Sequence, residues 1–273
     1  MKTKKTSWIT SVLMIPLACV VGLPFYFILV NTFKTQAEAA ASPLALPSSL
    51  YLDNYVNIFK TIPLLQGFLN TLCVTAFSVA LMLIIGSLAA FGMIMRNTRL
   101  NRLFGVLLLV GFIVPFQTTL IPLYELLVNV KLVDTLTGLI ALYSAGAIFC
   151  YFLIQGYMRT VPMEIIEAAR IDGAGLFRIY GQIVLPLIRP ILVTVGVFET
   201  MWVWNDFITP NVFISSPQNQ TLVLQVYSAV RQFTIDWPAF MTMTVIVLIP
   251  MLIFFIFMQR HIVSGLVNGS VKG

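Results

Sequence analysis

Val161-Pro162-Met163-Glu164-Ile165-Ile166-Glu167-Ala168-Ala169-Arg170-Ile171-Asp172-Gly173 is a polar stretch set in an apolar chain. Its residues predict one short helix. Pro162 suits the first helical position, where a missing N–H costs nothing. Glu164 lies in the first turn, where the helix dipole favours a negative charge. Gly173 suits the left-handed residue that stops a helix. A second amphipathic helix is expected from about Leu176 to Val184, ended by Pro186. The segment from Arg159 to Arg189 as a whole is too polar to cross a bilayer and too patterned to be disordered.

The rest of the chain is different in kind. Of 273 residues, 59% are hydrophobic and only 10% charged, against about 25% charged in ordinary soluble domains. A soluble protein this apolar could not cover its surface, so most of the chain is expected to face lipid or other helices. With roughly 20 residues per crossing, the length holds about six or seven spans and no large soluble domain. The apolar runs are Trp8–Phe33, Phe68–Met95, Phe104–Leu127 (broken by Pro115 and Pro122), Leu136–Met158, Pro190–Phe213 and Ala239–Met258 (with Pro250). The first is too long for the apolar region of a signal peptide and is read as a spanning helix. Residues 34–62 read as a loop with one short helix near Leu52–Phe59, and Ile214–Pro238 as a second loop. Cys19, Cys73 and Cys150 lie inside apolar runs without metal-ligand spacing and read as small core residues.

Charge assigns the sides. The net charge of +6 points to nucleic acid only in a soluble protein. Here twelve of the sixteen Lys and Arg residues fall on one side: Lys2, Lys4, Lys5, Arg96, Arg99, Arg102, Arg159, Arg170, Arg178, Arg189, Arg260 and Lys272. Lys34, Lys60, Lys131 and Arg231 fall on the other. The richer side should be cytoplasmic. An all-α membrane protein of six transmembrane helices with both termini cytoplasmic is therefore expected, and the Arg159–Arg189 segment faces the cytoplasm.

On these features alone the segment reads as an interfacial helix pair lying under the bilayer, but its spacing argues for more. Glu167-Ala168-Ala169, three residues, Gly173, nine residues, then Ile183-Val184-Leu185-Pro186 resembles the cytoplasmic loop of permease subunits in ATP-binding-cassette (ABC) importers. The resemblance implies the type I ABC importer permease fold. It implies a coupling helix that docks in a cleft of an ATPase subunit, with Glu167, Ala168, Ala169, Asp172 and Gly173 as the coupling residues. There Ala168 and Ala169 permit close approach, Glu167 carries a charge for a basic partner, and Gly173 reverses the backbone. The chain has no G-x-x-x-x-G-K-[ST] phosphate loop. ATP and magnesium are accordingly expected on a separate ATPase, with no cofactor, metal or catalytic residue on this chain.

Further segments resemble permeases of oligosaccharide importers. They are Phe33-Lys34-Thr35, Leu46-Pro47-Ser48-Ser49-Leu50 with Asn54-Tyr55, Pro115 to Tyr124, Asp134-Thr135 with Gly138-Leu139-Ile140, Trp204-Asn205-Asp206-Phe207 with Pro210, and the ending Val263-Ser264-Gly265-Leu266 with Val271-Lys272-Gly273. The ending resembles the smaller, maltose-permease-like partner. The resemblance implies a single permease domain over residues 1–273, with a coupling loop at 159–189 and a C-terminal tail at 262–273. It implies as partners a second related permease, two ATPase subunits, an extracellular solute-binding protein, a sugar or oligosaccharide, and membrane lipid, with no nucleic acid. It places the protein in a bacterial or archaeal cell membrane. It also implies that Gly265, Val271, Lys272 and Gly273 reach the ATPases; an ordinary frayed terminus is the other reading of that tail.

Glu125, Glu199 and Asp206 lie in or near predicted spans. A charge at the bilayer centre costs roughly 2.5–3.5 kcal/mol, so such groups usually face a cavity or a partner. Glu199, about ten residues into its span, carries that cost most directly. Gln117, Glu199, Trp204, Asn205 and Asp206, with Trp202, supply the aromatic faces and polar groups that a sugar pathway uses. An interfacial aromatic belt is the rival for both tryptophans. His261 reads as interfacial. An ion-coupled secondary transporter is the alternative class, but it has no use for the Glu167 loop. Nothing here resembles a nucleophile elbow, a metalloprotease helix or a selectivity filter.

Overall fold

The computed structural model describes residues 8–95, 98–232 and 236–270. Lys2, Lys4, Lys5, Arg96 and Lys272 of the charge pattern lie outside them. Every regular element among the described residues is helical. In chain order these are α1 (Trp8–Asn31), α2 (Gln36–Ala41), α3 (Asp53–Thr61), α4 (Leu64–Met95), α5 (Arg99–Ile113), a 3₁₀ turn at Phe116–Thr119, α6 (Leu120–Asn129), α7 (Leu136–Ser144) and α8 (Ala147–Met158). Then come α9 (Met163–Ile171), α10 (Leu176–Ile179), a π turn at Tyr180–Val184, α11 (Leu185–Leu187), α12 (Arg189–Asn205), α13 (Ile208–Phe213), α14 (Leu222–Gln232) and α15 (Trp237–Ser270).

Four stretches are long and apolar enough to cross a membrane: Met14–Asn31, Leu64–Met95, Leu136–Met158 and Trp237–Arg260. Two further pairs pass together but are sharply bent, Arg99–Ile113 with Phe116–Asn129 by 91° and Leu176–Leu187 with Arg189–Asn205 by 75°. The candidate crossings thus number four to six.

Both bends sit at prolines. Before Pro115, Val114 is forced out of the helical region to φ −67°, ψ 121°, as the ring of a following proline requires. The Thr118 N–H and hydroxyl both donate to the Pro115 carbonyl, at 3.0 and 2.7 Å. A bend inside a membrane needs this kind of local repayment of freed backbone groups. At the second bend Pro190 lies in the first turn of α12. Pro186 does not end the preceding helix as expected. The Leu185 N–H reaches back five residues to the Tyr180 carbonyl. This wider π turn carries the chain into α11, with Pro186 in its first turn.

Other boundaries also differ from expectation. The fifth apolar run breaks at Asp206, whose backbone is extended and whose Oδ1 accepts the Ile208 N–H at 2.9 Å. The expected loop Ile214–Pro238 contains α14, which buries Leu222, Leu224, Gln225 and Val226. Residues 34–62 hold two helices rather than one. The last helix runs on to Ser270 rather than stopping near Met258.

Packing divides the chain into two units, Met1–Leu64 with Gln225–Pro250, and Leu65–Leu224 with Met251–Gly273. In the first, the turn after α1 is built around a fully buried Lys34, whose Nζ donates to the Ser42 carbonyl at 2.7 Å. Asn54 Nδ2 donates to the Thr32 and Lys34 carbonyls at 2.8 and 2.9 Å. Glu38 accepts the Ser48 N–H at 2.7 Å. Those hydrogen bonds hold its carboxyl below the ordinary value.

The second unit carries a continuous apolar core from α4, α7, α8, α9 and α12, including Met82, Leu139, Ile154, Ile166, Val184 and Val195. Two of its helices meet closely at Gly86, where an added Cβ would stand 2.7 Å from Cys150 Cβ and 2.9 Å from the Tyr151 nitrogen. Small residues let membrane helices approach this closely. The turn before α7 is clasped to the turn after α13. Asp134 Oδ1 accepts the Ser215 and Ser216 N–H groups at 3.0 and 2.9 Å, and its Oδ2 accepts the Ser216 hydroxyl. Asn219 Nδ2 donates to the Asp134 carbonyl at 2.6 Å. Desolvation pushes the Asp134 carboxyl up, but hydrogen bonds from Ser216, Ser215 and Asn219 outweigh it and hold it below its ordinary value.

Candidate functional site

The polar stretch that opens the sequence reading forms α9, anchored on one side only. Ile166 and Ala169 are buried in the core, while Glu164, Ile165, Glu167, Ala168 and Arg170 are exposed. Of the predicted coupling residues, Glu167 and Ala168 thus lie on the free face, and Ala169 turns inward. Pro162 is the extended residue preceding the helix rather than its first helical residue. Glu164 occupies the first turn as predicted.

Gly173 has φ +80°. Its N–H donates to the Arg170 carbonyl at 3.0 Å, and the Ala174 N–H donates to the Ala169 carbonyl at 2.9 Å. These are the paired bonds of a left-handed helix stop. Asp172 sits just before it, exposed, its N–H on the Ala168 carbonyl. Beyond the stop, Phe177 is 89% exposed beside α9's free face in sequence.

The same loop is tied into the helices behind it. The Tyr180 hydroxyl and Ser87 Oγ lie 2.7 Å apart, and the Tyr180 ring packs against Phe91 at 5.4 Å between centroids. Tyr180 opens the π turn that leads through α11 into α12. A displacement of α9 therefore has a short covalent route to α12 and a packed route to α4.

α12 also carries the buried carboxylate. Glu199 is 5% exposed and has Cys150 Sγ at 3.9 Å as its hydrogen-bond donor. It lines an open cavity of about 850 Å³ whose walls are mostly apolar, with Phe149, Phe198 and Leu123 among them and Thr119 and Thr209 adding hydroxyls. Trp202 and Tyr143 line it too, packed edge to face at 5.7 Å.

The other predicted pathway residues are scattered. Trp204 does not line this cavity; it stands edge-on to Phe68 at 5.8 Å, and its buried Nε1 has no hydrogen-bond partner among the described residues. Asn205 is exposed and donates to the Met201 carbonyl at 2.7 Å. Asp206 accepts the Tyr143 hydroxyl at 2.9 Å. Gln117 is exposed in the 3₁₀ turn at the bend and does not line the cavity. Tyr143 escaped the sequence reading because only the fold brings it beside Trp202; a lone tyrosine in an apolar run carries no signal of its own. Glu125 is exposed on α6. In the tail, the backbone is helical at Gly265, and Val271, Lys272 and Gly273 lie outside the described residues.

This arrangement has known counterparts. The chain is 35% identical over 250 residues, 91% of each sequence, to the "Probable starch degradation products transport system permease protein AmyC" of Thermoanaerobacterium thermosulfurigenes. It is 31% identical over 271 residues, 98% of each sequence, to the melibiose/raffinose/stachyose import permease protein MelC of Bacillus subtilis. Its fold matches a subunit of a bacterial ABC transporter involved in import of the acidic polysaccharide alginate. There the TM-score is 0.82 at 19% identity, covering 95% of this chain and 98% of the other. The family model for the binding-protein-dependent transport system inner membrane component matches residues 82–268. With those relatives, all of them permease or transport components rather than enzymes, this multi-pass helical chain belongs to the family of binding-protein-dependent transport system inner membrane components.

Proposed function

We propose that this protein is one permease half of an ATP-driven importer of sugars or oligosaccharides delivered by an extracellular binding protein, and that it couples to ATP hydrolysis through the Glu167 loop. The carrying observation is α9, held by Ile166 and Ala169 and free on its Glu167–Ala168 side. The sugar class rests on the names of the relatives, among them importers of starch products and of raffinose-type oligosaccharides. In this reading the chain forms six crossings, each bent pair counting as one, with both termini and the loop at 159–189 in the cytoplasm. The charge asymmetry supports that orientation. A second related permease completes the pathway, and two ATPase subunits hold ATP and magnesium. The tail, 262–273, reaches the ATPases.

The mechanism follows from the contacts. Closure of the ATPases moves α9 as a rigid piece, because its C-terminal stop at Gly173 fixes where the helix ends. The π turn and α11 pass that motion to α12. α12 carries Glu199 and Trp202, so the walls of the 850 Å³ cavity move with the docking helix. Trp202 and Tyr143 offer aromatic faces to a sugar ring, and Glu199 an acceptor for its hydroxyls.

The test is purification of the tagged chain from cells expressing the whole operon-encoded system. Copurification of an ATPase and a second permease is expected, with vanadate-sensitive ATP turnover stimulated by the binding protein and its sugar. Glu167→Lys should abolish that stimulation while leaving the membrane-inserted chain intact. Glu199→Gln should change transport kinetics. Isolation of the chain without an ATPase, or unaltered coupling in Glu167→Lys, overturns the reading.

A further inference from the structure

The second cavity of the Leu65–Leu224 unit is unlike the first. It holds about 530 Å³ between α5 and α8, and its lining brings Arg102 and Arg159 together with the amides of Asn101 and Gln155. Arg102 lies in the first turn of α5 and Arg159 directly follows α8. In the six-crossing reading proposed above, both guanidiniums stand where two apolar helices leave the hydrocarbon. No carboxylate lines the cavity among the described residues.

Its remaining wall is mostly apolar: Val106 and Leu109 on α5, Phe152 beside Tyr151 on α8, and Met93 and Ile94 at the end of α4. Val106 and Leu109 are exposed. The cavity thus has a cationic end at the level of lipid headgroups and an apolar trough leading into the depth of the membrane. That is the complement of one amphiphilic anion. A free phosphate would satisfy the guanidiniums and leave the trough bare to water. A neutral lipid would fill the trough and leave two positive charges uncompensated.

We propose that this cavity binds an anionic phospholipid, its phosphodiester on Arg102 and Arg159 and an acyl chain along Val106 and Leu109. Basic pockets between membrane helices recognise acidic headgroups in this way, and a guanidinium presents its donors in the planar fork that phosphate oxygens accept. The site lies on α8 and beside the start of the docking loop, so a bound lipid braces the base from which α9 projects.

The experiment uses the whole transporter in nanodiscs of phosphatidylcholine mixed with phosphatidylglycerol, followed by detergent extraction and native mass spectrometry of the retained lipid. Unsubstituted protein should retain phosphatidylglycerol in preference to phosphatidylcholine. In R102Q/R159Q that retention should fall roughly ten-fold or more, given the contribution of each basic side chain to binding acidic lipid. R99Q removes an equal charge from an exposed position outside the cavity and should retain phosphatidylglycerol fully. Millimolar inorganic phosphate should not displace it.

Equal retention of both lipids by the unsubstituted protein overturns the proposal without any variant needing to fold. Displacement by inorganic phosphate makes it a free-anion site and also overturns it. So does efficient disulfide capture of a cysteine at Val106 by the second permease, which makes the trough a protein interface.

Discussion

At the scale of single residues, two glycines are under opposite constraints. Gly173 stands at φ +80° with open space around it. The cost of a side chain there is conformational, about 1 kcal/mol for alanine. Gly173→Ala should leave global unfolding almost unchanged and lower binding-protein-stimulated ATP turnover, read by comparing the two on one preparation. Gly86 has an ordinary helical backbone, and its constraint is space. An added methyl meets Cys150 Cβ and the Tyr151 backbone nitrogen, neither of which can swing aside. Gly86→Ala should destabilise the chain by about 1–3 kcal/mol, the usual penalty of overpacking, seen as a lower unfolding temperature in detergent. Sequence alone distinguished Gly173, because a glycine closing a helical pattern is a stop signal. It said nothing of Gly86, whose role depends on a helix some sixty residues away in the chain arriving against it.

Elements are held by a few polar clasps, and these carry the pH dependence. Asp134 ties the turn before α7 to the turn after α13. Its folded carboxyl lies below the ordinary value of 3.8. The sign follows from linkage: the clasp's contribution is complete above the ordinary carboxylate value and is lost as pH falls from there through the lowered folded value. Asp134→Asn should therefore lower the unfolding temperature at pH 7, with the difference narrowing as the medium is taken below pH 3.8. A difference that stays constant across that range removes the carboxylate from the account. The link between docking loop and bundle is the Tyr180–Ser87 hydrogen bond. Tyr180→Phe keeps the ring on Phe91 and deletes that bond, at a cost of about 1 kcal/mol. Ser87 Oγ retains the Leu83 carbonyl as a partner at 2.5 Å, so no buried hydroxyl is orphaned. Sugar transported per ATP hydrolysed should fall in Tyr180→Phe; an unchanged ratio means the bond does not transmit the motion.

For the molecule as a whole, the charge pattern makes a prediction that cysteine labelling decides. A single cysteine at Glu167 should react with a membrane-impermeant maleimide only in inverted vesicles, and one at Glu38 only in intact cells with the outer barrier opened. Labelling of both from one side would place the 12-to-4 asymmetry of Lys and Arg on some cause other than orientation.

The membrane class and the helix α9 were legible in the chain itself. Lipid selects long apolar runs regardless of partners, and a helix start and stop are written in neighbouring residues, as Glu164 and Gly173 show. The coupling motif was equally local. Where runs bend was read only in part: Pro115 was seen as a break, but its 91° turn and the π detour before Pro186 depend on which carbonyls find new donors. α14 was missed because its few apolar residues become a helix only once they have something to be buried against. The sequence named Glu199 and Trp202, which share a cavity, but grouped them with Trp204, which packs on Phe68, and left out Tyr143, which stands at the cavity. Sequence determined that the chain is a multi-pass helical membrane protein and where α9 begins and ends, because those follow from local composition. Tertiary structure alone decided which side chains share a cavity, because that depends on how helices distant in the chain rotate and pack.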